Sequence, residues 1–150
     1  MMKKLTQTEL DYILQQHSLW LQHQGGERAV LNNTDLSHLN LEGAVLHRAN
    51  LTRTNFTNAN LFDADMSDAD ITYAIFKEAD LNNASFRDAD LRNANFSYAQ
   101  MPNVDLYRAD VYRADFNNAN LNDDAFNKPT IGNTIMTLRG SGKSECLAFH

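Results

Sequence analysis

Residues 59–98 read ANLFD ADMSD ADITY AIFKE ADLNN ASFRD ADLRN ANFSY, eight consecutive copies of one five-residue pattern. The same register runs without a slip from Ala29 to Lys128, through twenty units. The third residue of each unit is its apolar centre, beginning at Leu31 and ending at Phe126, and is always Leu, Ile, Val, Met or Phe. Two residues before the centre, 15 of the 20 positions are Ala, and one residue before it 14 of the 20 are Asp or Asn. A helix face needs apolar residues about every 3.6 positions and a strand about every 2. A period of five suits neither, because on a flat strand it would flip the centres from face to face. The chain therefore turns a corner in every unit, as a solenoid does. Asn and Asp beside each centre suit corners, since their side chains bond nearby backbone and they tolerate left-handed conformations.

The phenylalanines show how many units close one turn. Phe56, Phe76, Phe96 and Phe116 recur at intervals of 20, and Phe86 and Phe126 differ by 40. With four units to a coil, the first four stack in one column. The other columns hold Leu31/Leu51/Ile71/Leu91/Val111, Leu41/Leu61/Leu81/Met101/Leu121 and Leu46/Met66/Phe86/Leu106/Phe126. Three units to a coil would scatter the phenylalanines. The pattern predicts an all-β solenoid, a square coil of four short strands repeated five times.

Tandem Ala-(Asp/Asn)-(Leu/Phe)-x-x, complete in Ala59-Asn60-Leu61, Ala89-Asp90-Leu91 and Ala119-Asn120-Leu121, resembles the pentapeptide-repeat family over residues 29–128. The resemblance implies a right-handed quadrilateral β-helix with centres and alanines pointing inward. It implies less about activity, because one fold hosts many functions. Qnr-type quinolone-resistance members of the family are acidic rods that imitate duplex DNA and bind type II topoisomerases such as DNA gyrase. DNA mimicry is therefore one function that the resemblance suggests here.

The organisation reads as residues 1–28, an N-terminal capping helix and turn; 29–128, the repeats; and 129–150, a C-terminal cap and tail. Residues 5 to 24 are read as a helix. Thr6 and Glu9 form a capping box, Leu5 and Leu10 a hydrophobic staple, and Gly25-Gly26 the stop. Leu10, Ile13, Leu14, His17 and Leu21 share one apolar face, with Trp20 at its edge. A solenoid's first coil is an open edge, and this helix is expected to cover it. The run Leu14-x-x-His17-x-x-Trp20-Leu21 before Gly-Gly-x-Arg-Ala also resembles the leader of many pentapeptide-repeat proteins. His17 is read as a hydrogen-bonded cap residue rather than a ligand. Tyr12 and Leu19 fall on the opposite side, free or against a second chain. Leu39, too bulky for a narrow interior, predicts an irregular first coil, and Asp124 a distorted last unit. Ile131, Ile135, Met136 and Leu138 are expected to cover the last coil, with Arg139 to His150 loosely ordered.

Net charge is −6 and the pI about 5.2, which argues against nucleic acid or an acidic membrane as a direct partner. A single cysteine, Cys146, and no signal-peptide or membrane-span pattern suggest the cytoplasm. Gly142-Lys143-Ser144 lacks the upstream glycine of a phosphate loop. Neither metal-ligand spacing nor a catalytic constellation emerges, so no cofactor is expected. A smooth convex rod would also lack the concave pocket of an enzyme.

The repeats carry 15 acidic and 8 basic residues, sorted unevenly by column. Tyr107-Arg108 and Tyr112-Arg113 repeat a pair around one corner, with Arg87 and Arg92 one coil below. Tyr and Arg are favoured at interfaces, so these six residues are the candidate protein-binding patch. The plainer alternative is a solvated surface in which Asp88, Asp90 and Asp110 pair locally with the arginines. Glu42, Asp63, Asp80 and Asp123 lie on the column side of Leu81 without a basic neighbour, and form the candidate acidic face. The expected function is a non-enzymatic protein-binding or structural rod whose partner the sequence does not name. The alternative is a DNA-mimicking modulator of a type II topoisomerase. Charge density weighs against the latter, since a rod of roughly 24 Å would replace DNA bearing about 14 charges. The C-terminal dimerisation helix of topoisomerase-directed members is not read in residues 129–150.

Overall fold

The computed structural model describes residues 1–122, Ala125, and two short strands near the C-terminus. In order, the elements are β1 (Lys3–Lys4), α1 (Gln7–Leu21), β2 (Thr34–Asp35), β3 (Gln100–Met101), β4 (Asn120–Leu121), β5 (Ile135–Thr137) and β6 (Cys146–Ala148). Between them the chain is a repeat β-helix. Parallel bridges join residues twenty apart, from Val30↔Asn50 to Asn95↔Asp115, and β3 pairs with β4 in the same register. The chain thus returns over itself after every four units.

The ladder repeats one hydrogen-bond rule. Phe76 N–H donates upward to the Asn95 carbonyl at 2.6 Å, and Asn95 N–H donates downward to the Ala74 carbonyl at 2.9 Å. Most corners are closed by a further bond, as from Ala79 N–H to the Phe76 carbonyl at 3.0 Å. The Asp and Asn residues before the centres lock the same corner through their side chains. Asp65 Oδ1, for instance, accepts from Ser67 N–H at 2.9 Å, and Asp105 Oδ1 from Tyr107 N–H at 2.9 Å. The left-handed residue is a different one from that expected. It is the fifth of the unit, with φ between 53° and 64° from Asn33 to Asn118, whether it is Asn, Asp, Arg, Tyr, His or Glu, and 66° at Gly43. Asn103 is missing from this series; its unit contains Pro102, which has no N–H for a corner bond.

Centres and alanines fill the interior. Phe56, Phe76, Phe86 and Phe96 are fully buried. Phe56 and Phe76 stack at 4.8 Å, Phe76 and Phe96 at 4.8 Å, and Phe96 and Phe116 at 5.0 Å, all within 6° of parallel. Phe86 meets Phe76 and Phe96 edge-on at 5.6 Å. That arrangement combines the column expected for Phe76 and Phe96 with favourable edge contacts. Where Thr replaces the inner alanine, its hydroxyl finds backbone: Thr54 Oγ1 donates to the Leu31 carbonyl at 2.8 Å. Leu39 does not disturb its coil. It lies half-buried at the edge of the core, and Asn60 N–H still donates to its carbonyl at 3.0 Å. The coil below it is missing, so there is room. In the last unit Ala125 N–H bonds Asn122 O, one residue later in the unit than the regular corner bond. Phe126, Asp124 and Ile131 lie outside the described residues. Cys146–Ala148, expected to be loosely ordered, pair antiparallel with Ile135–Thr137.

At the start of the rod the leader supplies what a preceding coil would. The helix begins at Gln7 rather than 5, because Thr6 caps it in a reciprocal box with Glu9 and Leu5 continues β1. β1 pairs in parallel beneath Thr34–Asp35, and Leu5 N–H donates to the Asp35 carbonyl at 3.2 Å. The Gln7 amide takes the place of a peptide group: its Nε2 donates to the Asn40 carbonyl and its Oε1 accepts from Asn40 N–H, both at 2.8 Å. His17, fully buried, accepts from Ala29 N–H at Nδ1 (2.9 Å) and faces the His47 carbonyl with Nε2 (2.8 Å). It is the hydrogen-bonded cap residue expected. The two bonds require the neutral ring with its proton on Nε2. Leu19 is half-buried, and its Cβ lies where a side chain at Gly26, whose φ is +73°, would clash. Tyr12 is exposed.

Two expectations follow. Phe76→Ala should cost about 3–5 kcal/mol by denaturant unfolding, with Phe76→Leu much milder. Burial holds the His17 imidazole below its ordinary value of 6.5, helped by the Arg28 charge and opposed by the bond to His47. A depressed native pKa means stability that is complete above 6.5 and lost as pH falls below it. The melting temperature should therefore drop between about pH 7 and pH 5.5, before the carboxylates titrate. His17→Gln should start lower and lose most of that slope.

Candidate functional site

The tyrosine-arginine corner spans two neighbouring columns over two coils. Within one column Arg87 lies over the ring of Tyr107, guanidinium to centroid 4.4 Å, and pairs with Asp105 at 3.2 Å. Beside them Arg108 pairs with Asp88 at 2.9 Å. Around the corner Arg92 binds Asp90 at 2.6 Å and approaches Asp110 at 3.8 Å, while Arg113 lies over Tyr112 at 5.4 Å. All six expected residues therefore sit in one surface region. Four guanidiniums face four carboxylates there, Asp88, Asp90, Asp105 and Asp110, so the patch is close to neutral. Partial burial works to raise the Asp90 carboxyl, but the hydrogen bonds and charge of Arg92 outweigh it and leave it below its ordinary range. The bond to Asp90 in turn holds Arg92 above its own ordinary value. The arginine side chains remain about half exposed, so water screens these pairs. The corner presents flat, polar and partly apolar groups on a backbone fixed by the ladder.

The acidic face is more dilute. Glu42 and Asp63 are exposed, while Asp80 Oδ1 accepts Asn82 N–H at 3.1 Å as a corner lock. Amides lie between the carboxylates: Asn60 Nδ2 donates to Asn40 at 3.2 Å, and Asn103 Nδ2 to Asn82 at 3.1 Å. Asp123 lies outside the described residues, as does the segment Gly142-Lys143-Ser144.

The rod is not smooth throughout, contrary to expectation. Beside the leader lies an open cleft of about 650 Å³ lined by Trp20, Arg28, Arg48 and Asp68. Arg28, Arg48 and Asp68 follow one another at the interval of twenty that defines a column, a spacing visible in the sequence, while Trp20 joins them from the helix. Among the described residues no cluster of His, Cys, Asp or Glu is arranged to hold a metal ion, and no helix is long and apolar enough to cross a membrane.

Comparison with solved structures finds a pentapeptide repeat protein from the cyanobacterium Cyanothece 51142, 25% identical with a TM-score of 0.59. The match covers 61% of this chain and 62% of that one, so this chain spans less than two thirds of that protein's length. A pentapeptide repeat protein of the Arabidopsis thaliana thylakoid lumen is 24% identical, with a TM-score of 0.55 over 80% of this chain and 85% of that one. QnrB1, a plasmid-mediated fluoroquinolone resistance protein, aligns with 16% identity over 68% of this chain and 63% of its own, at a TM-score of 0.35. No curated protein matches in sequence. The family model of pentapeptide repeats matches in eight copies, over residues 27–61, 49–88 and 84–123. With most of its length inside those matches, and with a ladder that repeats every four units, the chain belongs to the pentapeptide-repeat family.

Proposed function

We propose that this chain is a non-enzymatic protein-binding rod whose contact surface is the corner of Arg87, Arg92, Tyr107, Arg108, Tyr112 and Arg113. In this reading the units wind into a right-handed, four-sided coil of five turns. Residues 1–28 cap its start, 129–150 close its end, and it works in the cytoplasm. The twenty-residue ladder and the corner in every unit support the four-sided form. The observation that carries the functional reading is the stacking of Arg87 on Tyr107 and of Arg113 on Tyr112, on neighbouring columns of a rigid ladder. Rings and guanidiniums held in this way lose little freedom when a partner covers them. Local pairing lowers the net charge, so the corner suits a partner surface of mixed polarity rather than a polyanion.

DNA mimicry directed at a type II topoisomerase has less to support it. Duplex DNA places a charge about every 1.7 Å, whereas rungs of this rod are about 4.8 Å apart. Amides of Asn40, Asn60, Asn82 and Asn103 occupy much of the face that would have to be acidic.

The deciding measurement is partner retention from the source cell on immobilised protein, with melting temperatures recorded in parallel. Tyr107→Ala with Arg108→Ala should abolish retention and leave melting nearly unchanged, while Asp63→Asn with Asp80→Asn should retain the partner. The opposite pattern, joined to inhibition of gyrase supercoiling by the wild type, would replace this reading with mimicry.

A further inference from the structure

We infer that the cleft beside the leader is a second binding site, separate from the tyrosine-arginine corner, for an acidic peptide segment of a partner protein. One wall is an outward column and the other is Trp20 of the leader helix. Arg28 stands one coil below Arg48, and Asp68 one coil above. Among the described residues no carboxylate pairs with Arg28 or Arg48, whereas Arg87 and Arg108 each have one and Arg92 has two. Like charges on adjacent rungs repel. An anion lying between the two guanidiniums would relieve that repulsion and form charge-assisted hydrogen bonds with both.

The groups are held in place before any ligand arrives. Arg28 Nε donates to the Arg48 carbonyl at 2.7 Å, which fixes the side chain and leaves its terminal N–H groups to donate elsewhere. The Arg48 guanidinium lies 5.3 Å from the Trp20 ring centroid. Trp20 in turn stacks on His17 at 5.5 Å and 20°, and His17 is buried and bonded at both nitrogens. Trp and Arg are the residue types most enriched where binding energy concentrates.

The shape favours a peptide over a single small anion. A second lobe of about 500 Å³ shares Trp20 and Arg48 and continues past Leu21 to Gly25 and Gly26. A carboxylate between the guanidiniums would leave the next side chain of an extended segment against Trp20 and Leu21. Asp68 opposes such a ligand from the rim. Its carboxylate lies 3.6 Å from His47 Nδ1, which also hydrogen-bonds Ser67.

Trp20 is the one tryptophan in the chain, so its emission reports on this site alone. The full-length protein is titrated with the peptide Glu-Glu-Leu-Glu-Glu, with its Gln-Gln-Leu-Gln-Gln counterpart and with inorganic phosphate. The acidic peptide should give a saturable change that weakens with salt, and the glutamine peptide none. Arg28→Gln and Arg48→Gln should each weaken binding by about tenfold or more. Asp68→Asn should tighten it by roughly threefold through loss of repulsion, and Lys77→Gln, on another column, should leave it unchanged. Circular dichroism on each variant separates lost binding from lost fold. The inference is overturned by equal responses to both peptides, by saturation with phosphate at the same concentration as with peptide, or by a folded Arg48→Gln variant that binds normally. Weaker binding by Asp68→Asn would also overturn it, since that would mark a site for cations.

Discussion

Every coil of this protein depends on the one above it for its backbone hydrogen bonds. From Leu31 to Phe96 the N–H of each centre finds its acceptor nineteen residues later, and the answering bond returns to the first residue of the lower unit, usually alanine. Corner locks by Asp and Asn help, but they are secondary. After Val45 and Ile75, which have no side chain able to accept, the fifth residues Arg48 and Glu78 still adopt φ of 64° and 59°. The ladder holds those corners without the lock. It also explains the register, since a single inserted residue would turn an inward centre outward and unpair the rung above. Because each inner side chain meets its equivalent twenty residues away, the interior sorts itself into columns, one of them almost entirely phenylalanine.

A ladder of this kind must begin somewhere, and its lowest coil has polar groups facing away from the rod. A purely apolar cover would strand them, which is costly. The leader answers with three unlike groups: a strand beneath β2, a side-chain amide beneath Asn40, and an imidazole between Ala29 and His47. The same leader creates the concavity at Trp20, because a helix laid beside a regular coil cannot follow its outline. Capping and cleft therefore have one origin.

Much of this was legible in the sequence, for definite reasons. An interior allows only small or apolar residues, so the centres and alanines carry the period without ambiguity. The phenylalanine column followed from spacing alone, and the Thr6–Glu9 box from a local rule. The left-handed position was misplaced, yet a signal existed: no fifth residue among the twenty units is Val, Ile or Thr, the types that tolerate φ > 0 least. Leu39 misled because its size was judged against a closed interior, while it sits at an open end. Corner residues could be grouped by column, but their stacking and pairing depend on rotamers that spacing does not fix. The cleft escaped notice because Trp20 belongs to the helix and Arg48 and Asp68 to the coil, and only packing brings them together.

The left-handed fifth position has a consequence for how such a protein diversifies. Its backbone conformation is set by bonds to neighbouring rungs, while its side chain projects outward and adds little to the core. Arg, Tyr, His, Glu, Asp and Asn all occupy it here with nearly the same φ. Four longitudinal stripes of the surface, one for each unit of a coil, are therefore open to rewriting among residues that are not branched at Cβ, with little penalty to folding. The inner columns admit almost no such drift. Surface specificity can therefore change along those stripes while the core stays as it is.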